Sequence, residues 1–311
     1  MKTLSHHLEE YLELRRRLGF KLTGVRYELA KFVRFAQQEG ASFITTKLAV
    51  RWASQIEGGH PAYSTTRLSM LRRFADYMSS VDPRTEVPPQ GLLPHRYFRK
   101  NPYFYSDAQI NDLIRAARQI PSPKGLRAAT YSTLFGLLAV TGMRLGEALG
   151  LDRQDVDLDR GVLRIRQAKF NKSRLVPIHS STRERLQRYQ DLRDQIFPHP
   201  RGASFLVSEQ GTRLTGYIVR HWFIRLSRQI GLRQCSDRHG PRIHDMRHRF
   251  VIKTLRRWYT SNQDVDAHLP ELATYIGHGH VSDTYWYISA IPELLQLATK
   301  RLEAKSRKSL P

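Results

Sequence analysis

Apolar residues recur every three or four positions through the first 82 residues, which is the period of an amphipathic helix. Two stretches carry this repeat, formed by Leu4, Leu8, Tyr11, Leu12 and Leu18, and by Tyr27, Leu29, Phe32, Val33 and Phe35. A third helix over residues 48–56 has Thr45 or Thr46 as its cap. A fourth has Ser64 or Thr65 as its cap and carries Leu68, Leu71, Phe74 and Met78. The pattern predicts a helical bundle with a basic outer face over residues 1–82.

The periodic pattern stops after residue 82. Residues 83–104 contain Pro83, Pro88, Pro89 and Pro94 among basic residues, and this composition is typical of an interdomain linker. We expect its basic residues to follow a phosphate backbone; they are Arg96, Arg99 and Lys100. A loop packed on one domain is the alternative interpretation.

Residues 105–311 predict a second, larger domain. Ser106 and Gln109 form a capping box before a helix, and residues 128–140 are apolar enough for a buried helix that is followed by a new one near Arg144. Residues 163–166 and 174–178 alternate like two paired strands joined by a turn over 167–173. Further helices are predicted at about 181–195, 214–230, 244–258, 270–276 and 291–304. The fold class is therefore mainly α with a small β-sheet, and the second domain is α+β.

The charge of the chain indicates a polyanionic partner. Lys and Arg number 51 against 28 Asp and Glu, which gives a formal net charge of +23. Nucleic acid is the first candidate and an anionic membrane surface the second, while a merely basic, ribosome-like protein is the plain alternative. No apolar run approaches the roughly 20 residues of a membrane span, and the first residues lack the apolar core of a signal peptide. The single cysteine, Cys235, excludes an internal disulfide and fits a reducing cytoplasm.

Two arginine motifs could hold a phosphate. Arg144 follows the apolar helix, and Glu147 lies three residues on, where it could orient the guanidinium. His244 and Arg247 share one helix face and offer donors for two oxygens of one phosphate. A surface ion pair and a non-catalytic backbone contact are the respective alternatives.

Basic and histidine residues between and after these motifs add candidate donors. Lys169 and Lys172 lie near the expected hairpin tip, where a lysine could protonate a leaving oxygen or simply touch DNA. His278 and His280 lack nearby ligands with metal-site spacing, so we expect Gly277 to end a helix and turn His278 toward a site.

Tyr287 is the candidate nucleophile, with Tyr285 as its rival. A free phenol has a pKa of about 10, so ionising it at neutral pH costs roughly 4 kcal/mol. Fixed cations and a proton acceptor could offset that cost.

These motifs together resemble the tyrosine recombinase, or phage-integrase, family over residues 105–290. The matching segments, in family order, are Thr-Gly-Met-Arg144-Leu-Gly-Glu147, Ala-Lys169-Phe-Asn-Lys172-Ser-Arg174-Leu-Val-Pro, His244-Asp-Met-Arg247-His, Tyr-Ile-Gly-His278 and Val-Ser-Asp-Thr-Tyr-Trp-Tyr287. Residues 1–82 are similar in size and character to the family's core-binding domain. Phe170 replaces the small residue usual after the hairpin lysine, which leaves Lys172 as a rival of Lys169.

The resemblance implies roles for the site residues. Tyr287 would attack the scissile phosphate and form a 3′-phosphotyrosine, while Arg144 and Arg247 stabilise the transition state. Lys169 would protonate the departing 5′-oxygen. His244 and His278 would bind the phosphate or accept the tyrosine proton. We also expect Lys172 and Arg174 to contact DNA.

The resemblance also implies a site-specific recombinase or integrase that needs no ATP, cofactor or metal. Its expected partner is double-stranded DNA, bound as a homotetramer on two duplexes, with a monomer or dimer off DNA and residues 291–302 docked on a neighbouring subunit. A prokaryotic, cytoplasmic and nucleoid-associated location follows, with a transposon or other mobile element as one setting. A non-catalytic DNA-binding accessory protein, a type IB topoisomerase and a metal-dependent transposase are the alternatives.

Overall fold

The structure is a computed structural model that describes residues 3–20, 22–55, 61–93, 102–166, 173–237, 239–261 and 263–308. The chain divides into two compact units, Met1–Lys100 and Asn101–Pro311.

The first unit is a bundle of four helices. They are α1 (Leu4–Arg17), α2 (Thr23–Gln38), α3 (Thr46–Ser54) and α4 (Pro61–Ser79). Leu12, Leu29, Phe32 and Phe74 are fully buried at its centre, where the amphipathic period places them. Thr45 caps α3 through its side chain. The predicted start of α4 at Ser64 or Thr65 was wrong, because the helix already begins at Pro61, a residue well suited to a first helical position.

Part of the segment predicted as a linker packs on this bundle. The backbone nitrogen of Glu86 donates to the carbonyl of Ile44 at 2.8 Å, and its carboxylate accepts from the nitrogen of Thr46 at 2.7 Å. Arg72 Nε donates to the carbonyl of Pro88 at 2.6 Å. These contacts fix residues 83–93 to the first unit. The three basic residues predicted to follow DNA here, Arg96, Arg99 and Lys100, lie outside the described residues.

The second unit is mainly helical around a small antiparallel sheet, which confirms the predicted fold class. Its elements are α5 (Asp107–Arg118), α6 (Leu126–Thr141), α7 (Leu145–Gly150), a 3₁₀ turn (Arg153–Asp155), β1 (Val156–Asp157), β2 (Val162–Ile165), β3 (Arg174–Pro177), α8 (Ser180–Ile196), α9 (Gly216–Gln229), α10 (Asp245–Thr260), α11 (Val265–Ile276), α12 (Ser282–Ala290) and α13 (Pro292–Lys308). The strand order is β1-β2-β3, and Leu163 pairs with Val176 across the predicted hairpin.

Several boundaries follow directly from capping chemistry. The predicted box at α5 is present, since Ser106 Oγ accepts from the nitrogen of Gln109 and Gln109 Oε1 accepts from the nitrogen of Ser106. The predicted start of α11 at residue 270 was wrong. Asp264 caps an earlier turn, so the helix begins at Val265 and contains Pro270.

Two apolar cores hold the second unit together. The larger lies between α6, the sheet, α8 and α9 and includes Phe135, Leu163 and Phe223. The smaller joins α10, α11, α12 and α13 and includes Val251 and Tyr287. Within the described residues, no helix combines the length and the apolar character that crossing a lipid bilayer requires.

Candidate active site

Arg144 emerges from a tight turn between α6 and α7. Gly142 ends α6 with φ of +62°, and a Cβ on it would lie 2.6 Å from Cδ1 of Phe250. Only glycine combines that left-handed backbone with so close a neighbour. The turn places Arg144 at the N-cap of α7, with its side chain only partly exposed.

Glu147 holds two arginines. Arg144 Nη1 donates to Glu147 Oε1 at 2.8 Å, while Arg174 donates from Nη1 to Oε1 at 3.1 Å and from Nη2 to Oε2 at 2.8 Å. Burial alone would raise the pKa of Glu147, but hydrogen bonds from Arg174 and Arg144 outweigh it and lower the pKa. Glu147 is therefore an ionised, buried anchor for both guanidinium groups.

The end of α11 fixes the same arginines from the other side. Arg144 Nη2 donates to the carbonyl of Gly277 at 2.8 Å, and Arg174 Nε donates to the carbonyl of Tyr275 at 2.8 Å. Gly277 ends α11 with φ of +72°, as its sequence position predicts, and a Cβ there would lie 2.5 Å from Arg174 Nη1. The close approach of Arg174 thus depends on glycine at position 277.

Arg247 is a buried cation with spare hydrogen-bonding capacity. Its Nη1 donates to the carbonyls of Gly142 at 2.9 Å and Ile276 at 2.7 Å. Among the described residues, its buried Nη2 has no hydrogen-bond partner. Burial, and then the positive charge of Arg144, lower the pKa of Arg247 to about 10, so the guanidinium stays charged at neutral pH.

His244 lies one helical turn before His248 and just outside α10. It is exposed to solvent, yet partial desolvation and the charge of Arg247 lower the pKa of its imidazole below 6.5. Its ring meets the ring of His248 edge-on, with centroids 5.0 Å apart. At neutral pH, His244 is therefore a mainly neutral imidazole beside a fixed cation.

Tyr287 is buried and hydrogen-bonded to a histidine. Its side chain is 1% exposed, and its hydroxyl lies 2.7 Å from Nδ1 of His248. The charge of Tyr287 would raise the pKa of Arg247, which places the phenol within electrostatic reach of that guanidinium. Tyr285, the rival nucleophile, is 46% exposed. The two tyrosines therefore occupy different environments on α12.

His278 packs beside the phenol. Its ring is nearly parallel to that of Tyr287, with centroids 6.4 Å apart, and its Nδ1 lies 2.8 Å from Oγ1 of the fully buried Thr284. His280, two residues on, is exposed. The turn after Gly277 thus points His278, and not His280, toward the tyrosine.

The structure brings together most of the residues singled out in the sequence. The convergent set is Arg144, Glu147, Arg174, Arg247, His278 and Tyr287, together with His248. Arg174, expected to contact DNA, has its guanidinium committed to Glu147 and Tyr275, and its DNA contact stays a prediction. Both hairpin lysines, Lys169 and Lys172, lie outside the described residues.

His248 is the residue that sequence reasoning left without a role. It directly follows Arg247 and comes four residues after His244, so all three lie on one side of the start of α10. That spacing could have indicated that His248 lies at the candidate site. It could not reveal, however, which histidine meets the tyrosine, because the tyrosine arrives on another helix.

The chain has similar relatives along nearly its whole length. It is 46% identical over 309 residues to y4rB of Sinorhizobium fredii, a protein provisionally named as an integrase/recombinase, with 98% of each chain covered. It is 31% identical over 271 residues to the tyrosine recombinase XerC of Azotobacter vinelandii, covering 86% of this chain and 84% of that one.

Solved structures share the fold. A Tn1549 transposon integrase in complex with transposon right end DNA matches with a TM-score of 0.67 at 15% identity, covering 96% of this chain and 99% of that one. The XerH recombinase bound to its difH substrate matches with a TM-score of 0.63 at 19% identity, covering 89% and 78%. The model of the phage integrase family matches residues 104–293. The family model and these relatives establish that the chain belongs to the phage integrase family of tyrosine recombinases.

Proposed function

We propose that this protein is a site-specific DNA recombinase that cuts and rejoins DNA through a 3′-phosphotyrosine at Tyr287. The observation that carries the proposal is the buried, charged Arg247 with an unused donor among the described residues, within electrostatic reach of the Tyr287 phenol. A cationic donor left unpaired in the interior costs about 1–3 kcal/mol or more. An anionic phosphate oxygen is the partner that would remove this cost.

The arginine pair supplies the phosphate clamp. Arg247 and Arg144 are both held by backbone carbonyls near the end of α11, so their guanidinium groups are fixed before substrate arrives. Preorganised donors stabilise the charge that develops on non-bridging oxygens in the pentacoordinate transition state. His244, which is neutral and exposed beside Arg247, is placed to bind the same phosphate.

Cleavage is a direct exchange of one ester for another. A bond forms between Tyr287 Oη and phosphorus, and the bond from phosphorus to the 5′-oxygen breaks. Lys169 is the first candidate for the acid that protonates that oxygen, and Lys172 is the second. Because the phosphotyrosine conserves the ester bond, rejoining needs no ATP.

The nucleophile is covered in the structure. Tyr287 is 1% exposed, so a phosphate can reach its hydroxyl only after the residues that enclose it move. DNA binding is the event expected to drive that movement, since the substrate brings an anionic oxygen for Arg247 Nη2, which has no partner among the described residues. The protein off DNA would then be held in an inactive form.

The proposed partners of the protein are duplex DNA and further copies of the same chain. A net charge of +23 favours duplex DNA as the partner, and membership in this family supports a homotetramer on two duplexes, acting in the cytoplasm on chromosomal or mobile-element DNA.

The test is covalent trapping. Nicked suicide duplexes drawn from DNA that flanks the gene are incubated with the protein, and adducts are separated on denaturing gels. Wild-type protein and Tyr285→Phe should form the adduct, whereas Tyr287→Phe should bind duplex but form none. An adduct that persists in Tyr287→Phe would overturn the assignment, and no adduct with wild-type protein on any flanking duplex would overturn the function.

A further inference from the structure

The Tyr287 hydroxyl and the His248 imidazole form a short hydrogen bond in the interior. Oη and Nδ1 are 2.7 Å apart, and the two residues are 1% and 5% exposed. Their ring centroids lie 5.5 Å apart. The histidine and the tyrosine come from α10 and α12, 39 positions apart, so the packing of the smaller core makes this contact.

The reaction needs a group that removes the phenolic proton. At neutral pH only about one phenol in a thousand is ionised in water, and the buried position of Tyr287 keeps bulk water away from its hydroxyl. The nearby charge of Arg247 favours the phenolate, but a guanidinium has no lone pair with which to accept a proton. An imidazole nitrogen at hydrogen-bond distance can do so.

We infer that His248 is the general base for Tyr287, an inference that rests on the proposed function. As Oη bonds to phosphorus, its proton passes to Nδ1 of the neutral imidazole, which becomes imidazolium. The 5′-oxygen leaves and takes a proton from the lysine acid. In rejoining, the 5′-hydroxyl attacks phosphorus and gives its proton back to the lysine, while Oη departs and takes its proton from His248. Charge and protons balance in both directions.

The other two histidines fit different roles. His244 is exposed beside Arg247, where it can bind a phosphate oxygen. His278 stacks on the tyrosine ring and engages Thr284 through its own Nδ1. The structure therefore places the three histidines differently: His244 can bind phosphate, His278 packs on the phenol ring, and His248 meets its hydroxyl.

His248→Asn isolates proton transfer from positioning. The asparagine amide oxygen can occupy the place of Nδ1 and accept a hydrogen bond, but it does not take the proton. We expect adduct formation on the flanking-DNA suicide duplexes to slow by about a hundredfold or more, with duplex affinity unchanged. His268→Asn is the matched control, because it removes an Nδ1 contact to Glu271 on the exposed face of α11 and should leave the rate unchanged.

A more acidic phenol should rescue the variant. With 3-fluorotyrosine at position 287, the rate should rise more in His248→Asn than in the wild-type background, because without a base the rate follows the ionised fraction of the phenol. Equal effects in the two backgrounds would overturn the inference. Adduct formation by His248→Asn at the wild-type rate or faster would also overturn the inference. In that case the hydrogen bond to His248 would only hold Tyr287 in place before DNA binds.

A second measurement does not depend on how the asparagine variant folds. In protein labelled with ¹⁵N-histidine and free of DNA, Tyr287→Phe should shift the Nδ1 resonance of His248. An unchanged resonance would mean that the hydrogen bond is absent and would overturn the inference. If wild-type protein forms no adduct, the proposed function is wrong, and the inference about His248 is wrong with it. If wild-type protein forms the adduct but the predictions for His248→Asn fail, the recombinase function stands and another group is the base.

Discussion

Glu147 and Arg174, 27 positions apart in the chain, meet through two hydrogen bonds of 3.1 and 2.8 Å in a nearly buried ion pair. The same carboxylate also binds Arg144, so one acidic side chain joins the start of α7 to the start of β3. Arg174 reaches on to the carbonyl of Tyr275. Through these contacts, the sheet and the end of α11 together fix the guanidinium of Arg144.

Glu147→Gln tests this anchor. The amide keeps the size of the side chain but removes the charge that compensates two arginines, and breaking a buried pair in this way costs about 3 kcal/mol or more. We expect urea unfolding to show that loss, and adduct formation to fall by about tenfold or more because Arg144 is no longer fixed. Glu184→Gln, on the exposed side of α8, is the control and should change neither quantity. A Glu147→Gln protein with wild-type stability would refute the role of the anchor.

The same carboxylate predicts a pH dependence. The folded pKa of Glu147 lies below its ordinary value of 4.5, so as the pH falls through 4.5 the unfolded chain takes up the proton first. The stability contributed by Glu147 is complete above that pH and is lost as the pH falls through the folded pKa, by at most about 1.4 kcal/mol per pH unit. The stability gap between wild-type protein and Glu147→Gln should therefore narrow in acid. Urea titrations from about pH 7 to about pH 3, which extend below the ordinary pKa of a glutamate, measure it, and parallel curves over that range would contradict the pKa assignment.

Gly277→Ala should separate backbone strain from crowding. At Gly277 φ is +72° and a Cβ would lie 2.5 Å from Arg174 Nη1, whereas at Gly231 φ is +73° and no heavy atom of the described residues stands within 4 Å. Both alanine variants carry the left-handed cost of about 1–2 kcal/mol. Only Gly277→Ala should lose more than this in thermal unfolding, and only it should slow adduct formation. Equal losses of stability in the two alanine variants would show that the Arg174 side chain moves away from the added Cβ at no cost.

The lysine acid can be identified by changing the leaving atom. Lys169→Ala should slow cleavage of ordinary DNA by about a hundredfold or more, the usual contribution of a general acid. A substrate with sulfur in place of the bridging 5′-oxygen leaves readily without protonation, so on it the variant should approach the wild-type rate. Lys172→Ala serves as the comparison and should lack this rescue. The reverse pattern would assign the acid to Lys172.

DNA affinity should depend strongly on salt. Each phosphate contact releases counterions and contributes about −0.9 to the slope of log affinity against log salt, so several contacts give a steep loss between about 50 and 200 mM. Fluorescence anisotropy with a labelled flanking duplex measures this slope. A flat response would be inconsistent with a binding surface formed from the excess of 23 basic residues over acidic ones.

Local sequence signals predicted elements well where neighbouring residues decide the outcome. The capping box of Ser106 and Gln109, the alternation that pairs β2 with β3, and Gly277 at the end of α11 all depend on a few adjacent positions. The starts of α4 and α11 were misplaced because Pro61 and Asp264 were not recognised as signals for the first turn.

The residue types of the candidate site were also indicated by the sequence, because the motifs that carry its arginines, histidines and tyrosine occur along the chain in the order typical of the family. Their partners were decided only by the tertiary structure. Arg247 meets the carbonyl of Gly142 across 105 positions, and Tyr287 meets His248, with Tyr285 left exposed. Such contacts arise where α6, α10, α11 and α12 pack, and helix period fixes the face of each residue but not which faces meet.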